Sequence, residues 1–329
     1  MIKISLVLFL CFGNIWPETV SAEPPRHDAV PSVIDLDWST LKAMRHYLGL
    51  KDEQTISDAT ARELINFRYV FKSGTKGVIF QATYASGEYQ DTNHRPDDGT
   101  DESFRIWGSE AARAGLLVGA YHYYHPVTSK SPEAQADFFI DHIIKICTDH
   151  ASDFRGKKIL LAFEADHEEN PSLEVDDIVR FARQVHLRTK AWPGFYPETG
   201  RITGLNTPIY YKAFGHLDPD KKRDLAKCWL WGARYSPLGL LVDDYSPKPK
   251  TGEEKNRLFY GIWPNVTLWQ YAAAESWMDD EASATGYTEK EHFPISAAGS
   301  VVPFDCNYIS PSLDTPQELW QTYGWMPLP

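Results

Sequence analysis

The chain has 329 residues, of which 43% are hydrophobic and 13% aromatic, so it can bury a large core as one large domain or two small ones. Its formal net charge of −12 argues against nucleic acids and anionic membranes as main partners, because both are polyanions. The high aromatic content suits core packing and also stacking against sugar rings.

The first 22 residues predict a cleavable secretory signal. Lys3 precedes an apolar run from Ile4 to Phe12, and Val20-Ser21-Ala22 fits a small-x-small cleavage site. The run is too short to span a bilayer, and no later segment is apolar and long enough to do so. We therefore expect a secreted or periplasmic protein, cleaved after Ala22, with no integral membrane segment.

Residues 23–31 are polar and rich in proline, which predicts a leader before a single domain at residues 32–329. Short apolar runs predict eight strands, at residues 32–38, 77–83, 116–126, 158–166, 207–211, 228–235, 266–271 and 301–308. Helical patterns at 39–72, 104–114, 131–150 and 173–190 separate strands mainly in the first half. This alternation favours a parallel sheet, and the strand count suits a closed, TIM-like β/α barrel. We expect the tail after Ser310 to pack back on the barrel.

Three of the predicted strands carry an acid at or near their ends. Asp35 lies in the first strand, Glu164 in a middle strand and Asp305 in the last. Because the first and last strands of a closed barrel are neighbours, Asp35 and Asp305 should stand side by side, with Glu164 across the mouth. Glycoside hydrolysis needs such a set, with one carboxylic acid to protonate the leaving oxygen and one carboxylate opposite. Nearby like charges help to keep one acid protonated near neutral pH.

Short motifs at the strands form an ordered set between residues 32 and 310. The set comprises Ile34-Asp35-Leu36, Gln81-Ala82-Thr83, Gly119-Ala120-Tyr121-His122-Tyr123, Ile209-Tyr210-Tyr211, Leu230-Trp231-Gly232-Ala233-Arg234-Tyr235, Leu268-Trp269-Gln270-Tyr271 and Phe304-Asp305-Cys306-Asn307-Tyr308. In this order the motifs resemble those of the glycoside hydrolase family 25 lysozymes, also called Chalaropsis-type muramidases. The resemblance implies a modified β/α barrel that hydrolyses the β-1,4 bond between N-acetylmuramic acid and N-acetylglucosamine in peptidoglycan, without a metal or cofactor.

The resemblance also implies roles for individual residues. Glu164 matches the catalytic acid/base, and Asp35 and Asp305 match the catalytic aspartates of the first and last strands. The candidate substrate-binding residues are Asp37, Gln81, Tyr121, Tyr123, Asp166, Tyr210, Trp231, Trp269 and Gln270. Their aromatic members would form walls that stack on sugar rings.

The chain departs from the family pattern in its central motif. The family's Asp-x-Glu reads Ala162-Phe163-Glu164 here, and a lysine common on the second strand is Gln81. Asp166 and Asp37 each lie two residues past a strand carboxylate, and either could replace the missing aspartate. Two alternatives to a muramidase therefore stay open: a non-catalytic glycan-binding protein on the same barrel, and a hydrolase of another amino-sugar polymer.

The cysteines and two tryptophans allow further expectations. Cys147, Cys228 and Cys306 lack metal-ligand spacing, and the last two either form a disulfide or remain buried thiols. Trp229 and Trp231 lie on one predicted strand, and we expect one to face the barrel interior and the other the outer layer.

Overall fold

The computed structural model describes residues 31–51, 56–85, 99–126, 130–165, 173–197, 214–233, 261–272, 304–309, 313 and 315–328. The predicted signal at 1–22, nearly all of the predicted leader at 23–31 and the strand predicted at 207–211 lie outside these residues. Asp166 and Tyr210 lie outside them as well.

Eight strands close into a barrel in chain order. They are β1 (Val33–Leu36), β2 (Gly77–Tyr84), β3 (Leu117–Tyr123), β4 (Leu160–Glu164), β5 (Gly194–Tyr196), β6 (Trp229–Ala233), β7 (Leu268–Ala272) and β8 (Asp305–Ile309). Neighbouring strands from β1 to β7 are parallel, whereas β8 is antiparallel to both β1 and β7. The predicted eight-stranded α/β barrel is confirmed, with one strand running against the rest.

The helices of the described ranges lie mainly in the first half of the chain, as the sequence predicts. They are α1 (Trp38–Tyr47), α2 (Asp58–Glu63), α3 (Phe67–Ser73), α4 (Glu102–Ala114), α5 (Pro132–Asp149), α6 (Ala151–Phe154), α7 (Val175–Thr189), α8 (Pro219–Leu225) and α9 (Pro316–Tyr323). Local sequence sets their ends. The Ser131 hydroxyl caps α5 by accepting from the Ala134 amide, and Gly115 ends α4 with φ +94°. None of these helices is both long and apolar enough to cross a membrane.

The fifth strand is the element that differs most from the sequence prediction. Residues Gly194–Tyr196, which follow α7 after a connection of four residues, occupy the place between β4 and β6. Three residues are too few to show a hydrophobic period, so the sequence pattern did not reveal this strand. Glycine is required at its start because a Cβ on Gly194 would lie 2.2 Å from carbon atoms of the Trp229 ring.

Apolar side chains pack on both faces of the barrel wall. Outward-facing residues pack against the helices, as where Phe163 of β4 meets Phe181 of α7 with ring centroids 4.7 Å apart. Inward-facing residues form a second cluster that includes Leu160 and Leu268. Because apolar side chains are buried on both faces of the barrel wall, the strand sequences are nearly continuous apolar runs.

The C-terminal helix closes the end of the barrel where the parallel strands begin. Trp320 of α9 joins the interior cluster, and its indole N–H donates to the Val118 carbonyl at 2.7 Å. Beyond the helix, Ile159 and Trp325 exchange backbone hydrogen bonds of 2.7 and 2.9 Å. The tail therefore packs on the barrel, as expected from the sequence.

The three described cysteines are separate, buried thiols. Burial raises the pKa of Cys147 to about 12, and it raises the pKa of Cys228 and Cys306 as well. Of the two alternatives for Cys228 and Cys306, the buried thiols are therefore the observed one.

Candidate active site

The first and last strands place two carboxylates beside each other at one mouth of the barrel. Asp35 in β1 lies directly opposite Asp305 in β8. Because β8 runs against the other strands, its first residue reaches the end where the parallel strands finish. The sequence predicted this pair, but it did not reveal the strand direction that brings Asp305 to the mouth.

Gln270 of β7 joins the two carboxylates. Its Nε2 donates to Asp35 Oδ1 at 3.3 Å and Oδ2 at 3.1 Å, and to Asp305 Oδ2 at 3.2 Å. The hydroxyl of Tyr196 donates to Gln270 Oε1 at 2.7 Å, which fixes the orientation of the amide. One amide therefore holds both acids in place.

Asn307 supports Asp35 from the other side. Its Nδ2 donates to Asp35 Oδ1, and its own Oδ1 accepts from the Trp231 indole at 2.7 Å. Trp231 in turn lies edge-on to Tyr121 and Tyr196, with ring centroids 5.8 and 5.1 Å apart. Trp231 is thus a buried residue that orients Asn307, rather than the open sugar-stacking wall that the sequence suggested.

The carboxyl group of Asp35 holds its proton unusually tightly. Burial is the largest cause and raises the pKa of Asp35 from 3.8 to about 7. Hydrogen bonds from Asn307 and Gln270 oppose this shift, whereas the negative charge of Asp37 adds to it. Below about pH 7 Asp35 is therefore protonated beside Asp305.

Asp37 lies just past β1, where its side chain caps α1. Its Oδ1 accepts from the backbone N–H groups of Ser39 at 2.8 Å and Thr40 at 3.3 Å, and from the Ser39 hydroxyl at 2.5 Å. One carboxylate oxygen is therefore engaged by the helix. Asp37 acts at the mouth as a fixed negative charge that raises the pKa of Asp35.

Glu164 is the last residue of β4 and is half-buried. In the register it lies between Tyr123 of β3 and Tyr196 of β5. Burial is the largest cause that raises the pKa of the Tyr121 phenol, and the negative charges of Asp37, Glu164 and Asp35 raise it further. Tyr121 is therefore surrounded by the acids of the mouth.

The register also shows which interior side chains share a height in the barrel. Strands of an eight-stranded barrel tilt by about 36° to the barrel axis. Two interior residues on alternate strands therefore share a layer when the second lies two residues closer to the mouth than the residue that the register pairs with the first. From Asp305 the path along this register passes Asp35 and Ile79 and reaches Gln81. From Gln81 it passes Tyr121 and Ala162 and reaches Glu164.

Two layers thus meet at the mouth. The even-numbered strands contribute Gln81, Glu164, Ala233 and Asp305, and the odd-numbered strands contribute Asp35, Tyr121, Tyr196 and Gln270. Ala162 lies one layer below Glu164, with no exposed surface. The two layers together hold three carboxyl groups and two amides.

Two aromatic expectations need correction. Trp269 faces away from Gln270 on the same strand and packs in the outer core, T-shaped to Tyr271 with centroids 5.9 Å apart, so it does not line the mouth. Trp229 and Trp231 both face the interior, with centroids 6.2 Å apart, because residues two apart on a strand share a face. Tyr123 packs with Tyr84 above the mouth layers.

Sequence reasoning missed two residues of the hydrogen-bond network. Tyr196 was missed because its strand was not predicted. Asn307 stood in a recognised motif, and its position two residues from Asp305 could have placed it on the same face of β8. Both act on the predicted acids, since Asn307 binds Asp35 directly and Tyr196 does so through Gln270.

Among the described residues, no group of three or more His, Cys, Asp and Glu side chains could hold a metal ion. His122 faces outward from β3, where Thr83 Oγ1 lies 2.8 Å from its Nδ1 and Gln135 Oε1 lies 3.2 Å from its Nε2. Burial lowers the pKa of His122 to about 3, so it is a neutral packing residue.

The site can therefore offer a half-buried acid at the end of β4 and, across the mouth, a hydrogen-bonded pair of acids. Such acids can protonate a leaving oxygen and stabilise positive charge on a sugar ring. The structure resembles the glycosyl hydrolase 25 GHIP of Streptococcus pneumoniae, with a TM-score of 0.50, 14% identity and coverage of 88% of this chain and 92% of that one.

A bacterial lysozyme from Streptomyces coelicolor gives a TM-score of 0.49 and 18% identity, with coverage of 88% of this chain and 95% of that one. No curated protein matches the sequence. The sequence profile described as "Glycosyl hydrolases family 25" matches residues 59–280, which is more than half of the chain. The protein therefore belongs to glycosyl hydrolase family 25 and is a glycoside hydrolase.

Proposed function

We propose that the protein is a peptidoglycan hydrolase of the muramidase type, which cleaves the β-1,4 bond between N-acetylmuramic acid and N-acetylglucosamine. The observation that carries this proposal is the set of acids at the mouth of a family 25 barrel. Asp35 and Asp305 are bound by one amide, and Glu164 shares a layer with Asp305.

In the proposed reaction Glu164 donates a proton to the glycosidic oxygen as the bond from that oxygen to the anomeric carbon breaks. The carbonyl oxygen of the substrate's own N-acetyl group attacks the anomeric carbon and forms a cyclic intermediate. Glu164 then takes a proton from a water molecule, and the oxygen of this water attacks the anomeric carbon. The attack opens the cyclic intermediate with net retention of configuration at that carbon. Asp35 and Asp305 hold the sugar and stabilise its positive charge, and the raised pKa of Asp35 keeps the pair from carrying two adjacent charges.

The proposed site of action is outside the cytoplasm. The apolar run and small-x-small site within the first 22 residues support secretion or transfer to a periplasm. Peptidoglycan or a related amino-sugar polymer is the proposed partner, and the family assignment supports this substrate class.

Digestion of purified peptidoglycan by the wild type and by Glu164→Gln tests the proposal. We expect the wild type to release muropeptides and Glu164→Gln to lose at least about 100-fold in rate while keeping its thermal stability, because general acid catalysis contributes that much or more. Full activity in Glu164→Gln would show that another group is the acid.

A non-catalytic, glycan-binding function is the second candidate, and Ala162 is the observation that favours it. This residue offers only a buried methyl group at the position two residues before Glu164. Binding of the wild type to cell-wall sacculi without any muropeptide release would favour this second function. If Ala162→Asp released muropeptides under the same conditions, the inactivity of the wild type would be due to the alanine at this position.

A further inference from the structure

Gln81 is a buried amide in the active-site layer that has no hydrogen-bond partner among the described residues. Its side chain is 1% exposed. Within the residues that the structure describes, neither Oε1 nor Nε2 forms a hydrogen bond. A buried amide that has lost water and gained no protein partner is destabilising, and such groups in native proteins often serve a ligand.

The direction of this side chain follows from its strand. Phe80 and Ala82 belong to the outer core, whereas Ile79 belongs to the interior cluster. Gln81 therefore faces the interior, in the layer that contains Glu164 and Asp305. A register shift directly after Gln81 changes the alternation of β2, so that Thr83 faces outward to His122.

Two other buried glutamines show what a partnered amide looks like in this protein. Gln270 accepts from Tyr196 and donates to Asp35 and Asp305. Gln135 donates to the His125 carbonyl at 2.9 Å. Gln81 is the exception, and it lies among the acids of the mouth.

A carboxamide offers one acceptor and two donors and carries no charge. It can therefore pair with a secondary amide, which offers one N–H donor and one carbonyl acceptor. Sugars of peptidoglycan carry such a group at C2. An ionised carboxylate cannot replace this function alone, because it only accepts hydrogen bonds.

We propose that Gln81 recognises the 2-acetamido group of the sugar bound beside Glu164 and thereby selects N-acetylated amino sugars. This inference rests on the proposed function, since it assumes a glycan in this mouth. It makes Gln81 a specificity residue that contacts the N-acetyl group of the substrate and not the glycosidic oxygen.

The test compares Gln81→Met with wild type on peptidoglycan before and after chemical de-N-acetylation. We expect Gln81→Met to lose about 10- to 100-fold in kcat/KM and in affinity on the N-acetylated polymer, because the substrate amide loses its partner. The de-N-acetylated polymer lacks the attacking carbonyl and is not cleaved, so it is compared by affinity alone, which should change little. Gln81→Asn, which keeps a shorter amide, should recover part of the preference. An unchanged preference in Gln81→Met would overturn the inference.

Thermal unfolding distinguishes recognition from a structural role. Gln81→Met should keep or raise the Tm, because it removes an unpartnered amide, whereas the control Gln135→Met should lower it by breaking existing bonds. An equal fall in Tm for both variants would assign Gln81 to folding.

Calorimetric binding of an N-acetylglucosamine oligosaccharide to Glu164→Gln, with and without Gln81→Met, separates this inference from the proposed function. About 10-fold weaker binding in the double variant supports Gln81 even if the wild type releases no muropeptides. Equal binding by both variants contradicts the role of Gln81 even if the wild type is active.

Discussion

Asp35 shows how position sets the chemistry of a single residue. An exposed aspartate is ionised at neutral pH, but burial raises the pKa of Asp35 to about 7 despite hydrogen bonds from Asn307 and Gln270. The sequence placed this acid correctly beside Asp305, because strand ends and barrel closure determine neighbours. It could not give the proton affinity, which depends on burial by residues distant in sequence.

The raised pKa of Asp35 predicts a pH-dependent stability. The native state holds this proton more tightly than the unfolded state, so the stabilisation is fully present below about pH 4 and is lost as the pH rises towards about 7. Asp35→Asn mimics the protonated form and should remove this loss, which amounts to at most about 1.4 kcal/mol per pH unit. Urea unfolding of both proteins between pH 4 and pH 8 measures the difference.

Asp58→Asn is the matched control for this experiment. Hydrogen bonding to Arg105 is the largest cause that lowers the pKa of Asp58, so its contribution has the opposite sign and is lost as the pH falls. A stability difference between wild type and Asp35→Asn that does not change with pH would contradict the assignment of the buried proton.

Substitution of Gln270 should change the pH dependence of activity. Its hydrogen bonds lower the pKa of Asp35, so Gln270→Met should raise that pKa further and shift the corresponding limb of the pH–rate profile to higher pH. We also expect about 10-fold lower kcat/KM, because the two acids lose their common donor.

Tyr196→Phe provides the graded comparison for Gln270. It removes only the hydroxyl that orients the Gln270 amide, so its shift should have the same direction and a smaller size. A pH–rate profile that keeps its shape in both variants would show that the amide packs near the acids without tuning them.

At the scale of elements, the last strand determines the site. The sequence predicted the last strand from an apolar run at residues 301–308, but such a run carries no information on strand direction, so it could not reveal the antiparallel course. That course is what brings Asp305 to the mouth. The short β5 was missed for a related reason, since three residues do not establish a period, and Tyr196 was missed with it.

The C-terminal helix predicts a stability effect at the other end of the barrel. Trp320 of α9 is 1% exposed, and its indole binds the Val118 carbonyl. Trp320→Ala should destabilise the fold by about 3–5 kcal/mol through cavity formation and an unpaired carbonyl. Met326→Ala, at a residue 44% exposed on the same tail, should change stability by less than about 0.5 kcal/mol. Equal effects of the two changes in chemical denaturation would show that the helix does not close the barrel.

At the scale of the molecule, seven of the eight predicted runs correspond to strands of the barrel, while the run at 207–211 lies outside the described residues and β5 was not predicted. The closed barrel could still be predicted, because the strand count and the early alternation of strands and helices leave few other arrangements. The family assignment identifies this barrel as a glycoside hydrolase, and the acids at its mouth fit that chemistry. The unpartnered Gln81 could not be found from sequence, because the partners of a buried amide are known only once the strands are in register.

The identity of the new reducing end tests the central proposal most directly. Purified peptidoglycan is digested with the protein, the products are reduced with borohydride, and the reduced sugar is identified by mass spectrometry. A muramidase leaves reduced N-acetylmuramic acid at the new ends, and Glu164→Gln should leave none above background. Reduced N-acetylglucosamine at the new ends, or no new ends from the wild type, would contradict the proposed cleavage.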